Sequence, residues 1–180
     1  ILHNITVQSN YTYDYFGNLL TVTANNGTTT SIISNSYTDN GTGINYLVAS
    51  SATTQKRNNE PDYIRSINYQ YYPNGVLKKQ ISDPSTNFQI ETEYFYDNFG
   101  NPNKVTVRPF DMPESSSFVY YDQKGRFPIK KLNPLGFENT FTYDQKTGNL
   151  LSETSANGLI TRYEYDNWNR LRKTIMPSGN

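Results

Sequence analysis

One short pattern recurs along this chain and restricts what it can become: a Tyr, usually an Asp, two variable residues, then Gly. It is read at Tyr13-Asp14-Tyr15-Phe16-Gly17, Tyr96-Asp97-Asn98-Phe99-Gly100 and Tyr121-Asp122-Gln123-Lys124-Gly125. Tyr143-Asp144-Gln145-Lys146-Thr147-Gly148 holds one extra residue, Tyr165-Asp166-Asn167-Trp168-Asn169 has Asn at the Gly position, and Tyr71-Tyr72-Pro73-Asn74-Gly75 replaces the Asp. Tyr71, Tyr96, Tyr121, Tyr143 and Tyr165 are spaced by 25, 25, 22 and 22 residues, and Tyr37-Thr38-Asp39-Asn40-Gly41 is a degenerate copy. Every substitution obeys the stereochemistry of one turn. Asp at position i of a type I turn accepts hydrogen bonds from N–H groups two or three residues on, and Pro suits i+1. The last position needs a positive φ to close a three-residue hairpin loop with a bulge, which Gly supplies and Asn tolerates.

The flanks read as strands. Residues two apart share a face, and such pairs precede each turn: Tyr11 and Tyr13, Tyr69 and Tyr71, Tyr94 and Tyr96, Val119 and Tyr121, Phe141 and Tyr143, Tyr163 and Tyr165. Two residues past the Gly position stands a bulky residue, Leu19, Leu77, Phe127, Leu150 or Leu171, with Pro102 as the exception. Second turns lie between hairpins at Asn26-Gly27, Asn133-Pro134-Leu135-Gly136, Asn157-Gly158 and Pro177-Ser178-Gly179. The expected fold is all-β: repetitive antiparallel hairpins in a curved, open-ended strip, its tyrosines stacked as a ladder between units. Residues 1–62 are read as degenerate repeats with a connecting loop at 51–62, and 63–180 as regular hairpins of one continuous array. No 3.6-residue apolar period of useful length competes.

Composition narrows function. Lys plus Arg and Asp plus Glu are each 16, so no surplus positive charge favours nucleic acid or an anionic membrane. No segment reaches the roughly 18 apolar residues of a membrane span. Cysteine is absent, which removes disulfides, thiolate nucleophiles and Cys-metal sites. The first residues, Ile1-Leu2-His3-Asn4, lack an initiator Met, and the chain reads as an internal slice of something longer.

These residues resemble a known family. Tyr163-Glu164-Tyr165-Asp166, Phe141-Thr142-Tyr143-Asp144 and the returns after the turns look like the YD repeats of Rhs/YD-repeat proteins. Tyr121 to Pro128 followed by Asn133-Pro134-Leu135-Gly136 is similar to the form in the B/C components of insecticidal toxin complexes, and more distantly to teneurins. The resemblance covers most of the chain and is densest from 94 to 180. It implies a structural, non-enzymatic segment of a large secreted or surface toxin-like protein, wall to a β-shell that encapsulates a C-terminal polypeptide. The implied partners are the remainder of a longer chain and that enclosed polypeptide, with no cofactor. The chain is too short to close such a shell alone. The family's self-cleaving segment follows its last repeat around an Asp-Pro-x-Gly core; Asn133 to Gly136 lies between repeats and reads as a turn.

The same residues admit other chemistry. His3 is the single histidine and has no nucleophile motif beside it. Asp14, Asp97, Asp122, Asp144 and Asp166 suggest paired acids for sugar hydrolysis or a Ca²⁺ row, but turn stabilisation explains all five together. Phe16, Phe99 and Trp168 occupy one place inside their turns, and are the candidate ligand-stacking residues of an alternative reading: a cell-surface adhesion module for glycans or a partner protein. The sequence favours packing between neighbouring loops. Lys56-Arg57 and Lys130-Lys131 read as solvated or edge charges. The acceptor triplets at Asn4, Asn10, Asn26 and Asn40 arise from composition.

Overall fold

The computed structural model describes residues 6–39 and 46–177. The degenerate turn after Tyr37, His3, the triplets at Asn4 and Asn40 and the end of the Pro177 turn therefore lie wholly or partly outside the described residues. All regular structure among those residues is β: β1 (Gln8–Tyr13), β2 (Leu19–Asn25), β3 (Thr29–Thr38), β4 (Leu47–Arg57), β5 (Tyr63–Tyr71), β6 (Leu77–Ser82), β7 (Ile90–Tyr96), β8 (Pro102–Pro109), β9 (Ser115–Tyr121), β10 (Pro128–Leu132), β11 (Glu138–Tyr143), β12 (Leu150–Thr154), β13 (Ile160–Tyr165) and β14 (Leu171–Ile175). The chain forms two compact units, residues 1–93 with 107–113, and residues 94–106 with 114–180. In both, each strand is flanked by its sequence neighbours, the plain order of successive hairpins.

Every hairpin whose register is resolved carries the expected bulge at its Tyr. The shift falls at Thr12/Tyr13, Ser36/Tyr37, Gln70/Tyr71 and Thr142/Tyr143, at Glu164/Tyr165, and opposite Tyr121 between Pro128 and Lys130. The bulky residue after the turn is the partner of that Tyr: Leu19, Leu77, Leu150 and Leu171 face Tyr13, Tyr71, Tyr143 and Tyr165. Phe127 departs from this. Tyr121 faces Pro128, because the turn is one residue longer, closed from the Asp122 N–H to the Phe127 carbonyl at 2.9 Å. Freed from the ladder, the Phe127 ring stacks on Tyr143, centroids 5.0 Å apart and planes 13° from parallel.

Residues 51–62 are not a loop throughout. Strand β4 runs to Arg57, because the small and β-branched Ser51-Ala52-Thr53-Thr54 pair with β3 on one side and β5 on the other. The connection is confined to 58–62, where Asn59 takes a φ of 63°. The basic pairs are also not free edge charges: Lys56 pairs with Asp62, Arg57 with Glu60 and Lys130 with Glu138, and Lys131 lies over the Phe141 ring.

No apolar side chain is fully buried among the described residues; the two buried residues are Thr106 and Asp83. Strands covered on neither face by a second layer must draw stability from cross-strand pairs. On the face away from the tyrosines these are hydroxyl pairs and cations on rings. Thr12 meets Thr21 at 2.6 Å, Ser36 meets Ser50 at 2.7 Å and Thr142 meets Ser152 at 2.7 Å. Lys104 lies 5.0 Å from the Phe95 centroid and Lys130 lies 5.1 Å from that of Tyr120.

Candidate functional site at the tyrosine turns

Each turn is built by its first residue. The Asp97 Oδ1 accepts from the N–H groups of Phe99 (2.8 Å) and Asn101 (2.9 Å), while the Gly100 N–H donates to the Asp97 carbonyl at 3.1 Å. Asp14 does the same with Phe16 and Asn18, and Asp166 with Trp168 and Arg170. Asp122 accepts from Arg126 and Phe127, and Asp144 from Lys146 and Thr147. Asn133 reproduces the arrangement on the opposite side of the hairpins, accepting from Leu135 and Phe137 at 3.0 Å each. The turn read at Asn157-Gly158 begins two residues earlier, with the Gly158 N–H on the Ser155 carbonyl. Gly17, Gly75, Gly100, Gly125 and Gly148 all have positive φ, and Asn169 matches them at 61°.

These donors hold the aspartate carboxyls below the usual carboxylate range. At Asp14, Asp97 and Asp122 partial desolvation works in the opposite direction, and the loop N–H groups with the Asn18, Asn101 and Arg126 side chains outweigh it. At Asp144 and Asp166 the backbone donors lead. A lowered folded pKa means that the charged turn stabilises the fold above the unfolded value, near pH 4, and that this contribution drains away as pH falls through the folded values. Urea midpoints should therefore be flat from neutral pH to about pH 5 and drop below about pH 4. Asp166→Asn should flatten part of that drop, since Asn133 shows that an amide oxygen can organise the same turn.

The tyrosines do something the spacing did not reveal. Adjacent hairpins separate toward the turn end, and the carbonyl of the residue facing one Tyr is left beyond the last ladder pair. At four junctions a Tyr hydroxyl of the next hairpin donates to a carbonyl there. Tyr37 reaches the Leu19 carbonyl at 2.9 Å, Tyr71 that of Val48 at 2.8 Å, Tyr121 that of Pro102 at 3.3 Å and Tyr165 that of Leu150 at 3.0 Å. Burial pushes the Tyr71 and Tyr121 hydroxyls upward, with the charge of Asp97 adding at Tyr121, so both remain protonated donors. The expected ladder of tyrosines is thus joined hydroxyl to carbonyl more than ring to ring. The sequence signal was the preference for Tyr over Phe at a position where packing alone would accept either.

The three candidate stacking residues are not alike. Phe99 lies against the neighbouring turn, so close that a Cβ on Gly125 would come within 2.5 Å of its ring, and Asn101 donates to the Gly125 carbonyl at 2.7 Å. Trp168 is 76% exposed, with the Arg170 guanidinium 5.1 Å from its centroid. Phe16 is 57% exposed and meets Tyr15 edge to face. Turn-to-turn contacts continue between Arg126 and Gln145, and from Asn149 to Asn169 at 3.1 Å. Among the described residues no three His, Cys, Asp or Glu side chains are grouped to hold a metal ion; each turn carboxylate is occupied by its own loop.

Comparison with known proteins gives the same picture. A family model described as RHS Repeat matches residues 143–180. Among curated proteins, none matches the sequence. Among solved structures, a TcdB2–TccC3–Cdc42 crystal structure is similar at a TM-score of 0.60 and 14% identity, covering 92% of this chain and 10% of that one. TcdB2–TccC3 without its hypervariable C-terminal region gives 0.61 and 14%, again covering 92% and 10%. The Photorhabdus luminescens Tc holotoxin pore with a substituted TccC3 gives 0.61 and 14%, covering 94% and 10%. This chain therefore spans about a tenth of the length of the solved chains it matches. It carries an RHS repeat at its C-terminal end and shares the hairpin fold of these toxin-complex structures.

Proposed function

We propose that this chain is a structural segment of a large secreted or surface toxin-like protein, one stretch of wall in a β-shell that encapsulates a C-terminal polypeptide, and that it has no catalytic role. The observation that carries the reading is the constancy of the joint between hairpins. At five junctions, counting the residue that faces a Tyr as the first, the third residue of the return faces the residue three before the next Tyr: Thr21 and Ser34, Ser50 and Asn68, Lys79 and Glu93, Lys130 and Thr140, Ser152 and Arg162. A joint that repeats without drift lets hairpins be added indefinitely, each contacting only its neighbours. Such a wall works mechanically, by keeping an enclosed chain away from the outside. The residues from 63 onward supply the regular hairpins, and those before 63 the looser ones.

The test is limited proteolysis of the full-length polypeptide. The wall reading expects the segment after the repeats to be protected while the shell is intact, and to be cut once mild acid or urea opens it. Equal cutting in both states would end the reading. The adhesion alternative draws on Trp168 and Phe16, whose rings are accessible; a glycan-array signal removed by Trp168→Ala with unchanged thermal stability would favour it over the wall.

A further inference from the structure

We propose that Asn26 is a site of spontaneous covalent modification: its carboxamide is lost through a succinimide closed by the Gly27 backbone nitrogen, faster than at the other described Asn–Gly pairs. The inference is local to one turn and does not rest on the wall reading. Asn precedes Gly at Asn26, Asn40, Asn74 and Asn157, and the pair at Asn40 lies outside the described residues. Such a pair is reactive because no side chain shields the glycine nitrogen. That nitrogen attacks the Asn Cγ and gives up its proton through water. The N–Cγ bond forms, the Cγ–Nδ2 bond breaks, and ammonia leaves. Water then opens the ring at one of its two carbonyls. Asn plus water thus yields ammonia and either Asp or isoaspartate, with no oxidant or reductant.

Two features single out Asn26. The attack places negative charge on Oδ1, and that oxygen already accepts from the Thr28 N–H at 3.1 Å, the Thr28 hydroxyl at 3.1 Å and the Thr29 N–H at 2.8 Å. Donors fixed where charge develops lower the barrier to forming it. The Asn74 Oδ1 accepts from the Val76 N–H at 3.2 Å, and the Asn157 carboxamide has no such donor among the described residues. The second feature is the freedom of the nucleophile. Ring closure requires the Asn–Gly peptide to rotate until its nitrogen faces Cγ. The Gly75 and Gly158 N–H groups are the bonds that close their turns, each 2.9 Å from the carbonyl of Tyr72 or Ser155, so rotation breaks the turn. The Gly27 N–H donates instead to the Asn25 side-chain oxygen at 2.6 Å, a partner that can swing with it. That turn is closed elsewhere, from the Asn26 N–H to the Thr29 carbonyl at 3.2 Å. Residues Asn25 to Thr28 are exposed, so water reaches the ring. The isoaspartyl product adds a methylene to the main chain inside the connection from β2 to β3.

Incubation of the intact folded chain in mildly alkaline buffer, with its peptides mapped by mass spectrometry, tests this directly. Carboxamide loss at Asn26 should outpace that at Asn74 and at Asn157 by roughly 2–12-fold, the worth of one hydrogen bond. Isoaspartate should appear at residue 26, read by enzymatic methylation of the peptide. In urea the three rates should converge, because the turn that supplies the donors is gone. Thr28→Val keeps the branched shape and removes the hydroxyl donor. It should slow Asn26 roughly 2–12-fold and leave Asn74 and Asn157 at their parental rates. Asn74 or Asn157 reacting as fast as Asn26 in the folded chain, a lead of Asn26 that persists unchanged in urea, or a Thr28→Val rate equal to the parent's would each overturn the proposal. Proteolysis of the full-length shell reads a different property, so the two readings stand or fall separately.

Discussion

Replacing Tyr37, Tyr71, Tyr121 and Tyr165 together by Phe is expected to lower the unfolding free energy by about 2–6 kcal/mol, four hydrogen bonds at roughly 0.5–1.5 kcal/mol each. The rings and their contacts stay, so the change reports the hydroxyls alone. Each hydroxyl satisfies a carbonyl at the point where two hairpins part, and its loss leaves that carbonyl to whatever water can reach it. The sites are separated along the chain, which favours simple addition. The control is Tyr15→Phe: Tyr15 is 96% exposed and its variant should be neutral. Urea unfolding followed by circular dichroism gives the comparison through the midpoint and slope. A fourfold variant as stable as the parent would remove the rung from the account and return the tyrosines to a purely apolar role.

Gly125→Ala is the single substitution with the largest expected cost. Its φ is +66°, a region that costs an L-residue roughly 1–2 kcal/mol. The new methyl would also lie 2.5 Å from the Phe99 ring carbons and 2.8 Å from its Cβ, an overpacking that adds about 1–3 kcal/mol. The sum is about 2–5 kcal/mol. Gly100→Ala separates the two contributions: its φ is +86°, and a Cβ there meets nothing within 4 Å, so only the backbone cost applies. Adding Phe99→Ala to Gly125→Ala should recover part of the loss. If Gly125→Ala and Gly100→Ala cost the same, Phe99 does not pack on the neighbouring turn in solution.

The turns were legible in the residues because their chemistry is local. An Asp or Asn at the first position, a Gly or Asn at the last and a bulky residue two past it are set within six or seven residues, and the structure places these turns as that stereochemistry requires, save the one that Ser155 rather than Asn157 begins. Asn133, at the opposite end of the hairpins, was read as a second kind of turn and proves to be the same one. Where the reading went astray, neighbours had decided. Ser51 to Arg57 has loop-like composition, yet two flanking strands hold it extended, because pairing on both sides satisfies backbone groups that a loop would leave to water. Phe127 has the position of a ladder residue, yet the lengthened turn turns it onto Tyr143. Asp83 gave no signal at all. It is buried with a φ of 45°, paired with Arg65 and accepting from the Ser66 N–H at 3.1 Å, a contact spanning 17 residues that no local pattern encodes.

The amino-acid order alone determined that this protein is a run of antiparallel hairpins, since turn stereochemistry and two-residue alternation act over distances shorter than one repeat. The tertiary structure decided how one hairpin meets the next. The common junction register, the four hydroxyls that bridge parting strands and the ring resting on the neighbouring glycine join residues about 10 to 26 positions apart. Their energies arise only when separate repeats come into contact, which a pattern within a single repeat cannot express.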